Sequence, residues 1–160
     1  MTYLIIIFII LLLFAISIAF SKFSLAASFQ DELKEANQDE LKEANQGNAD
    51  VQYMLGVLYK NGDGVRQDYA EAIKWFKLAA DQGHVVAQLQ LSALYYDGEG
   101  VRQDYAEALK WLKLAADQGD ANAHFALGLM YKNGEGVRQD YAEAFKWFKL
   151  SADQGDADAQ

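Results

Sequence analysis

The string Gly-Val-Arg-Gln-Asp-Tyr-Ala-Glu-Ala begins at Gly64 and returns at Gly100 and Gly136, 36 residues apart each time. Around it, Trp75, Trp111 and Trp147 keep the same register, as do Gly83, Gly119 and Gly155. A period this regular leaves little freedom. Each unit must be one supersecondary element that buries its apolar faces against its neighbours. Three full units follow: 48–83, 84–119 and 120–155.

Each unit reads as two helices. Val51, Leu55, Leu58 and Tyr59 take the i, i+4, i+7, i+8 places of one apolar face and predict a first helix from roughly Ala49 to Lys60. Gly56 falls on that helix, and Ser92 and Gly128 replace it in the other units. A small residue at one recurring place implies close approach of the partner helix. Asn61-Gly62-Asp63-Gly64 stops the helix and reverses the chain, with Val65 as a plug in the hairpin. Asp68 then caps a second helix, and Glu71 completes a capping box, a device repeated at Asp104/Glu107 and Asp140/Glu143. That helix runs from about Tyr69 to Gln82 and carries two apolar stripes. Tyr69, Ala72, Ile73, Phe76 and Ala80 form one, and Trp75, Leu78 and Ala79 the other. A helix apolar on two faces buries both, one on its own first helix and one on the next repeat. Glu71/Lys74 and Lys77/Asp81 are spaced to pair on the solvent face. The fold class is therefore all-α: antiparallel helix pairs stacked into a solenoid.

The pattern Leu55-Gly56, Tyr59, Gly62, Gly64-Val65, Asp68-Tyr69, Ala72, Trp75, Ala79-Ala80, Gly83 resembles the Sel1-like repeat family, a relative of the tetratricopeptide repeat. The resemblance covers 48–155. The 36-residue period and the Gly-x-Gly loop favour it over the 34-residue tetratricopeptide unit. The departures are small: Val51 where the other units have Ala87 and Ala123, Ser92 for Gly, and Ser151 for Ala. The resemblance implies a right-handed superhelix whose first helices line an inner groove, serving as a non-enzymatic adaptor for other proteins. It also implies a bacterial protein of the envelope or one that meets a host. Some Cys-rich relatives are linked to penicillin binding or β-lactam hydrolysis, but this chain has no cysteine.

The flanks are of other kinds. Leu4 to Phe20 is apolar apart from Ser17, and small residues follow, with Ser24 and Ala26 at the −3 and −1 places of a cleavage site. Residues 1–26 thus read as an export signal. A retained membrane anchor is the alternative, because the apolar core nears the roughly 20 residues that span a bilayer and no Lys or Arg precedes it. A buried core helix is a third reading. Either export outcome puts the repeats outside the cytoplasm, in periplasm or medium. Residues 27–47 are charged, and 30–37 repeats as 38–45. This segment is expected to be a capping helix in the place of a preceding second helix, or a polar linker. Residues 156–160 start a fourth first helix and stop. Trp147, Leu150 and Ser151 are expected to be left without cover there, a place where the chain would dock on itself or on a partner.

The residues argue against most chemistry. A net charge of −9 repels phosphate backbones, which excludes nucleic acid as a partner. No cysteine means no thiolate nucleophile, zinc thiolate or disulfide. His84 and His124 hold different places in their repeats and lack metal-binding neighbourhoods. No G-x-S-x-G or S-x-x-K occurs. Asp63, Glu99 and Glu135 give one carboxylate per loop, far short of a calcium site. The expectation is no catalytic residue, no metal and no cofactor.

Recognition is expected where the units differ. Second helices barely change. First helices change at Gln52/Gln88/His124, Tyr53/Leu89/Phe125, Met54/Gln90/Ala126 and Lys60/Tyr96/Lys132. Of these, Gln52, Tyr53, Lys60, Gln88, Tyr96, His124, Phe125 and Lys132 are the candidate protein-binding residues, a mixed aromatic and polar surface suited to a peptide or helix. Drift at uncritical positions would give the same variation. The competing functions are a cell-envelope enzyme acting on β-lactams or peptidoglycan, and an immunity- or inhibitor-type binding protein.

Overall fold

The computed structural model describes residues 41–155. Residues 1–26, expected to be an export signal, residues 27–40 of the expected capping helix or linker, and residues 156–160, expected to start a fourth repeat, lie outside the described residues. Within them are six helices: α1 (Ala49–Asn61), α2 (Tyr69–Asp81), α3 (Val85–Asp97), α4 (Tyr105–Asp117), α5 (Ala121–Asn133) and α6 (Tyr141–Ala152). Helical residues 41–45 precede α1. The helices pair as α1/α2, α3/α4 and α5/α6, and α2 and α4 then pack on the helix that follows each. The result is an all-helical solenoid. Among the described residues, no helix is long and apolar enough to cross a membrane.

Every helix starts on a side-chain cap. Asn48 Oδ1 accepts from the N–H of Asp50 and Val51, His84 Nδ1 from Ala87, and Asp120 Oδ1 from Ala123. Asp68, Asp104 and Asp140 likewise accept from Glu71, Glu107 and Glu143 at 3.0 Å. The expected capping box forms only by half. The cap's own N–H is already used, because the loop folds Asp68, Asp104 and Asp140 back onto the carbonyls of Tyr59, Tyr95 and Tyr131. The glutamates turn outward instead to Lys74, Lys110 and Lys146, at 2.6, 3.0 and 2.7 Å. The hydrogen bond that Lys74 donates to Glu71 is the main reason it holds its proton above the ordinary lysine range, and the bond from Lys146 to Glu143 does the same there. Lys77 does not complete the expected pattern with Asp81. Its ammonium lies over the Tyr95 ring, 5.4 Å from the centroid, where the next repeat supplies the partner.

Within a repeat, the two helices approach until a small residue meets a ring. A Cβ added at Gly56 would sit 2.5 Å from the Phe76 ring, and at Gly128 2.5 Å from Phe148. The middle repeat has Ser92 at this place, and there the facing residue is Leu112 instead of Phe. Each repeat keeps the summed volume and divides it differently, as close packing demands.

Between repeats, the stripe Tyr69, Ile73, Phe76, Ala80 meets the next unit. Ile73 and Leu109 are only 8% exposed, while Phe145, at the same place in α6, is 70% exposed. Tyr69 passes so close to the following loop that a Cβ at Gly100 would lie 2.0 Å from its Cβ. A Cβ at Gly136 would lie 2.6 Å from the Tyr105 carbonyl oxygen. Both glycines are also left-handed, at φ +68 and +69. The conserved string is thus read twice, once by its own hairpin and once by the preceding repeat.

This reverses the sequence-based assignment of the stripes. Ser151 is fully buried, as Ala79 and Ala115 are, and donates to the Ala121 carbonyl of its own first helix. Trp147 stacks on its own first helix, on His124 of α5 at 5.7 Å, yet it is only half-buried where Trp75 and Trp111 are buried, so it does lose part of its expected cover. Leu150 is 45% exposed, but Leu78 and Leu114 are equally open at 48% and 41%, so its exposure belongs to the position and not to the last repeat. The face that no described repeat covers carries Tyr141 and Phe145. The indole Nε1 atoms of Trp75, Trp111 and Trp147 are buried without a hydrogen bond.

The seam predicts unequal costs for one substitution. A Cβ at Gly64 has nothing within 4 Å, so Gly64→Ala meets only the left-handed backbone and costs about 1 kcal/mol. Gly136→Ala also drives into Tyr105 backbone and costs about 2–4 kcal/mol. Urea unfolding of the two variants gives the comparison; equal midpoints would refute the close-approach argument.

Candidate functional site

The first helices α1, α3 and α5 stand side by side, with α2 and α4 behind them: α3 and α5 each pack against α4 far more than against each other. Their outer faces form the candidate groove. The sequence-selected residues divide sharply on it.

Gln52, Gln88 and His124 are 4%, 3% and 6% exposed, so they are not on the partner-facing surface where the repeat comparison placed them. They bind one repeat to the next. Gln52 Nε2 donates to the Ala44 carbonyl at 2.8 Å, Gln88 Nε2 to Ala80 at 3.0 Å, and His124 Nε2 lies 3.1 Å from the Ala116 carbonyl. On the other side, Gln82 donates to Gln52 at 2.7 Å and Gln118 to Gln88 at 2.8 Å. Gln154 Nε2 stands 3.2 Å from His124 Nδ1. A carboxamide and a neutral imidazole each carry a donor and an acceptor on one planar group, so His does here what Gln does elsewhere. Gln52 makes its bond to Ala44, in the helical stretch 41–45 that precedes α1.

The other candidates do border the groove. Tyr53 is half-buried, stacked on His84 at 4.8 Å and tilted against Phe76 at 5.8 Å. Phe125 tilts against Phe148 at 5.6 Å. Lys60 Nζ crosses to α3 and donates to Gln90 at 3.0 Å. Tyr96 donates its hydroxyl to Glu135 at 2.9 Å. That bond, with burial and the carboxylate charge adding to it, pushes the Tyr96 phenol up to about 12. The phenol therefore stays a donor through the neutral range. Lys132 is exposed near the end of α5.

The repeat comparison missed part of the surface. Met54, Val86 and Leu129 are 50%, 44% and 36% exposed, large apolar side chains on the first helices. Met54 was noted only for its variation, and Val86 and Leu129 not at all. The available signal was an apolar residue at a helical position whose counterpart elsewhere is polar: Val86 stands where the other units have Asp50 and Asn122. Between α3 and α5 the groove deepens into a cleft of about 470 Å³, floored by Leu112 and walled by Leu89, Ala126 and Leu129. Asp97, Asn122 and Glu135 stand at it as polar groups. Among the described residues, no group of three or more His, Asp or Glu side chains is placed to hold a metal ion.

The family model for the Sel1 repeat matches residues 49–84, 85–120 and 121–156. Among solved structures, c5321, a protective antigen of uropathogenic Escherichia coli with an SLR fold, is 41% identical with a TM-score of 0.75, over 79% of this chain and 27% of its own. A Sel1 repeat protein from Oxalobacter formigenes is 40% identical with a TM-score of 0.74, over 78% of this chain and 51% of its own. This chain thus spans about a quarter and about half the length of those two relatives. The cysteine-rich protein B of Helicobacter pylori, at 20% identity and a TM-score of 0.61, covers 81% of this chain and 93% of its own and shares the fold. No curated protein matches the chain.

The staple makes a direct prediction. Gln88→Leu strips a partner from both Ala80 and Gln118 inside the seam and costs about 1–3 kcal/mol. Gln88→His keeps both bonds, as His124 does, and costs well under that. Thermal or urea unfolding decides it, and a His variant as unstable as the Leu variant would contradict the equivalence.

Proposed function

The chain belongs to the Sel1 repeat family, whose proteins typically mediate protein–protein interaction, and on that premise we propose that it is an exported, non-enzymatic adaptor that binds a protein segment along the groove of α1, α3 and α5. One observation carries the reading. The first helices use their inner faces for the core, through Leu55, Leu91, Leu94, Leu127 and Met130, and for the buried staple. The large apolar side chains left open on the first helices, Met54, Val86 and Leu129, are not needed for any seam. Exposed apolar groups on an otherwise charged chain mark a contact surface. Export is supported by the apolar run from Leu4 to Phe20 and the small residues Ser24 and Ala26. The exported product then begins at Ala27, which N-terminal sequencing reads directly.

Affinity capture tests the groove. The full chain expressed in its source is the bait, beside a variant with Met54, Val86 and Leu129 changed to Ser and a control with Leu114 changed to Ser on α4. The expected result is a protein retained by the parent and the control and lost, by at least about tenfold, from the groove variant. Capture by all three alike would move the interface off the first helices.

A further inference from the structure

The two seams between first helices are not alike. Between α1 and α3 side chains bridge the space: Tyr53 lies against Phe76 and His84, and Lys60 reaches across to Gln90. Between α3 and α5 the same places hold smaller groups. Leu89 stands for Tyr53, Leu112 for Phe76, and Ala126 for Gln90, while Tyr96 replaces Lys60 and turns to Glu135. The aromatic pair of repeats one and three is a pair of leucines in the middle repeat. A cleft of about 470 Å³ lies along this second seam, with Leu89, Leu112 and Ala126 among its lining. A gap this size is within the range of ligand-binding pockets.

Its chemistry is one-sided. The walls are aliphatic, and the charged residues that line it are Asp97 and Glu135, both acidic; no Lys or Arg lines it. The cation that bridges the first seam, Lys60, has no counterpart in the second. Resting on the groove reading above, we infer that this cleft receives a bulky apolar side chain of a partner protein, Leu, Met or Phe, set beside a Lys or Arg that meets Asp97 and Glu135. The apolar group packs on the aliphatic wall of Leu89, Ala126 and Leu129. The basic group supplies the charge that Lys60 supplies in the first seam. An acidic or wholly polar segment meets the negative charge of Asp97 and Glu135 and an apolar wall, and is rejected.

A random nonapeptide display library, selected against the full chain at low salt, tests this. The expected result is enrichment of sequences with Leu, Met or Phe next to Lys or Arg. Enrichment of acidic or wholly polar sequences, or no enrichment, would overturn the inference. Two variants then locate the site. The first writes seam one into seam two: Leu89→Tyr, Ser92→Gly, Leu112→Phe and Ala126→Gln. Ser92→Gly is required because a Cβ facing the Phe ring at the equivalent place would lie 2.5 Å from it. This filled variant should weaken a selected peptide at least about tenfold in fluorescence anisotropy. The second, Asp97→Asn with Glu135→Gln, leaves the walls intact. It should cost about two- to fivefold per carboxylate at low salt and less as salt rises. If Met54→Ser with Val86→Ser abolishes binding and the filled variant does not, the groove reading stands and the cleft inference fails. Indifference to both sets of changes removes both.

Discussion

The contact between the second helix of one repeat and the hairpin of the next is what the whole chain depends on. Helices of 13 residues are marginal in water on their own, so each gains its stability from what it packs against. Here the packing has three parts at one seam. Tyr69 and Tyr105 lie against backbone that only glycine lets them reach, at Gly100 and Gly136. Ile73 and Leu109 are covered by the following unit. Gln52, Gln88 and His124 tie each first helix to the carbonyl at the end of the preceding second helix. The apolar contacts supply most of the energy, at roughly 25 cal/mol per Å² buried. The buried hydrogen bonds add less but fix the register, since a slipped neighbour would leave a carboxamide unpaired in the core.

Once the seams are fixed by α2 and α4 against the inner faces of α3 and α5, the first helices are free to vary outward. Their inner positions carry the staple and the Gly–Phe or Ser–Leu exchange, and their outer positions carry Met54, Val86, Leu129 and the exchange of Lys60 for Tyr96. Specificity in such an array comes from changing side chains on a constant backbone. In this chain the middle repeat changes most, giving up an aromatic pair at Leu89 and Leu112. Leu112 stays in the core with Ser92 facing it, while Leu89 lines the open cleft beside α5.

Much of this was legible in the residues. The 36-residue period gave the helix pairs, the hairpin loops and the caps, because each has a local chemical signature: Gly-x-Gly, Asp before Tyr, a small residue opposite a ring. The helix faces were not legible to the same degree. Both stripes of α2 are apolar, and nothing in one helix says which neighbour each will meet; the assignment of Leu150 and Ser151 to the uncovered face was therefore reversed, and that of Trp147 holds only in part. Variation misled in the same way at Gln52, Gln88 and His124. Gln and His differ as residue types but agree in offering a planar donor and acceptor, and only the placement of the Ala44, Ala80 and Ala116 carbonyls reveals that agreement. Tyr96 and Tyr53 lay on the expected surface because their hydroxyl and ring edges are amphipathic and settle at a border.

The central claim is that α2, α4 and α6 build the array and α1, α3 and α5 do the binding. Hydrogen exchange of the full chain, free and saturated with a captured partner, tests it without any substitution. The account predicts new protection in α1, α3 and α5 and in the loop that carries Glu135, with α2, α4 and α6 unchanged. New protection confined to α6, around Tyr141 and Phe145, would contradict it and make the face beyond the third repeat the binding surface.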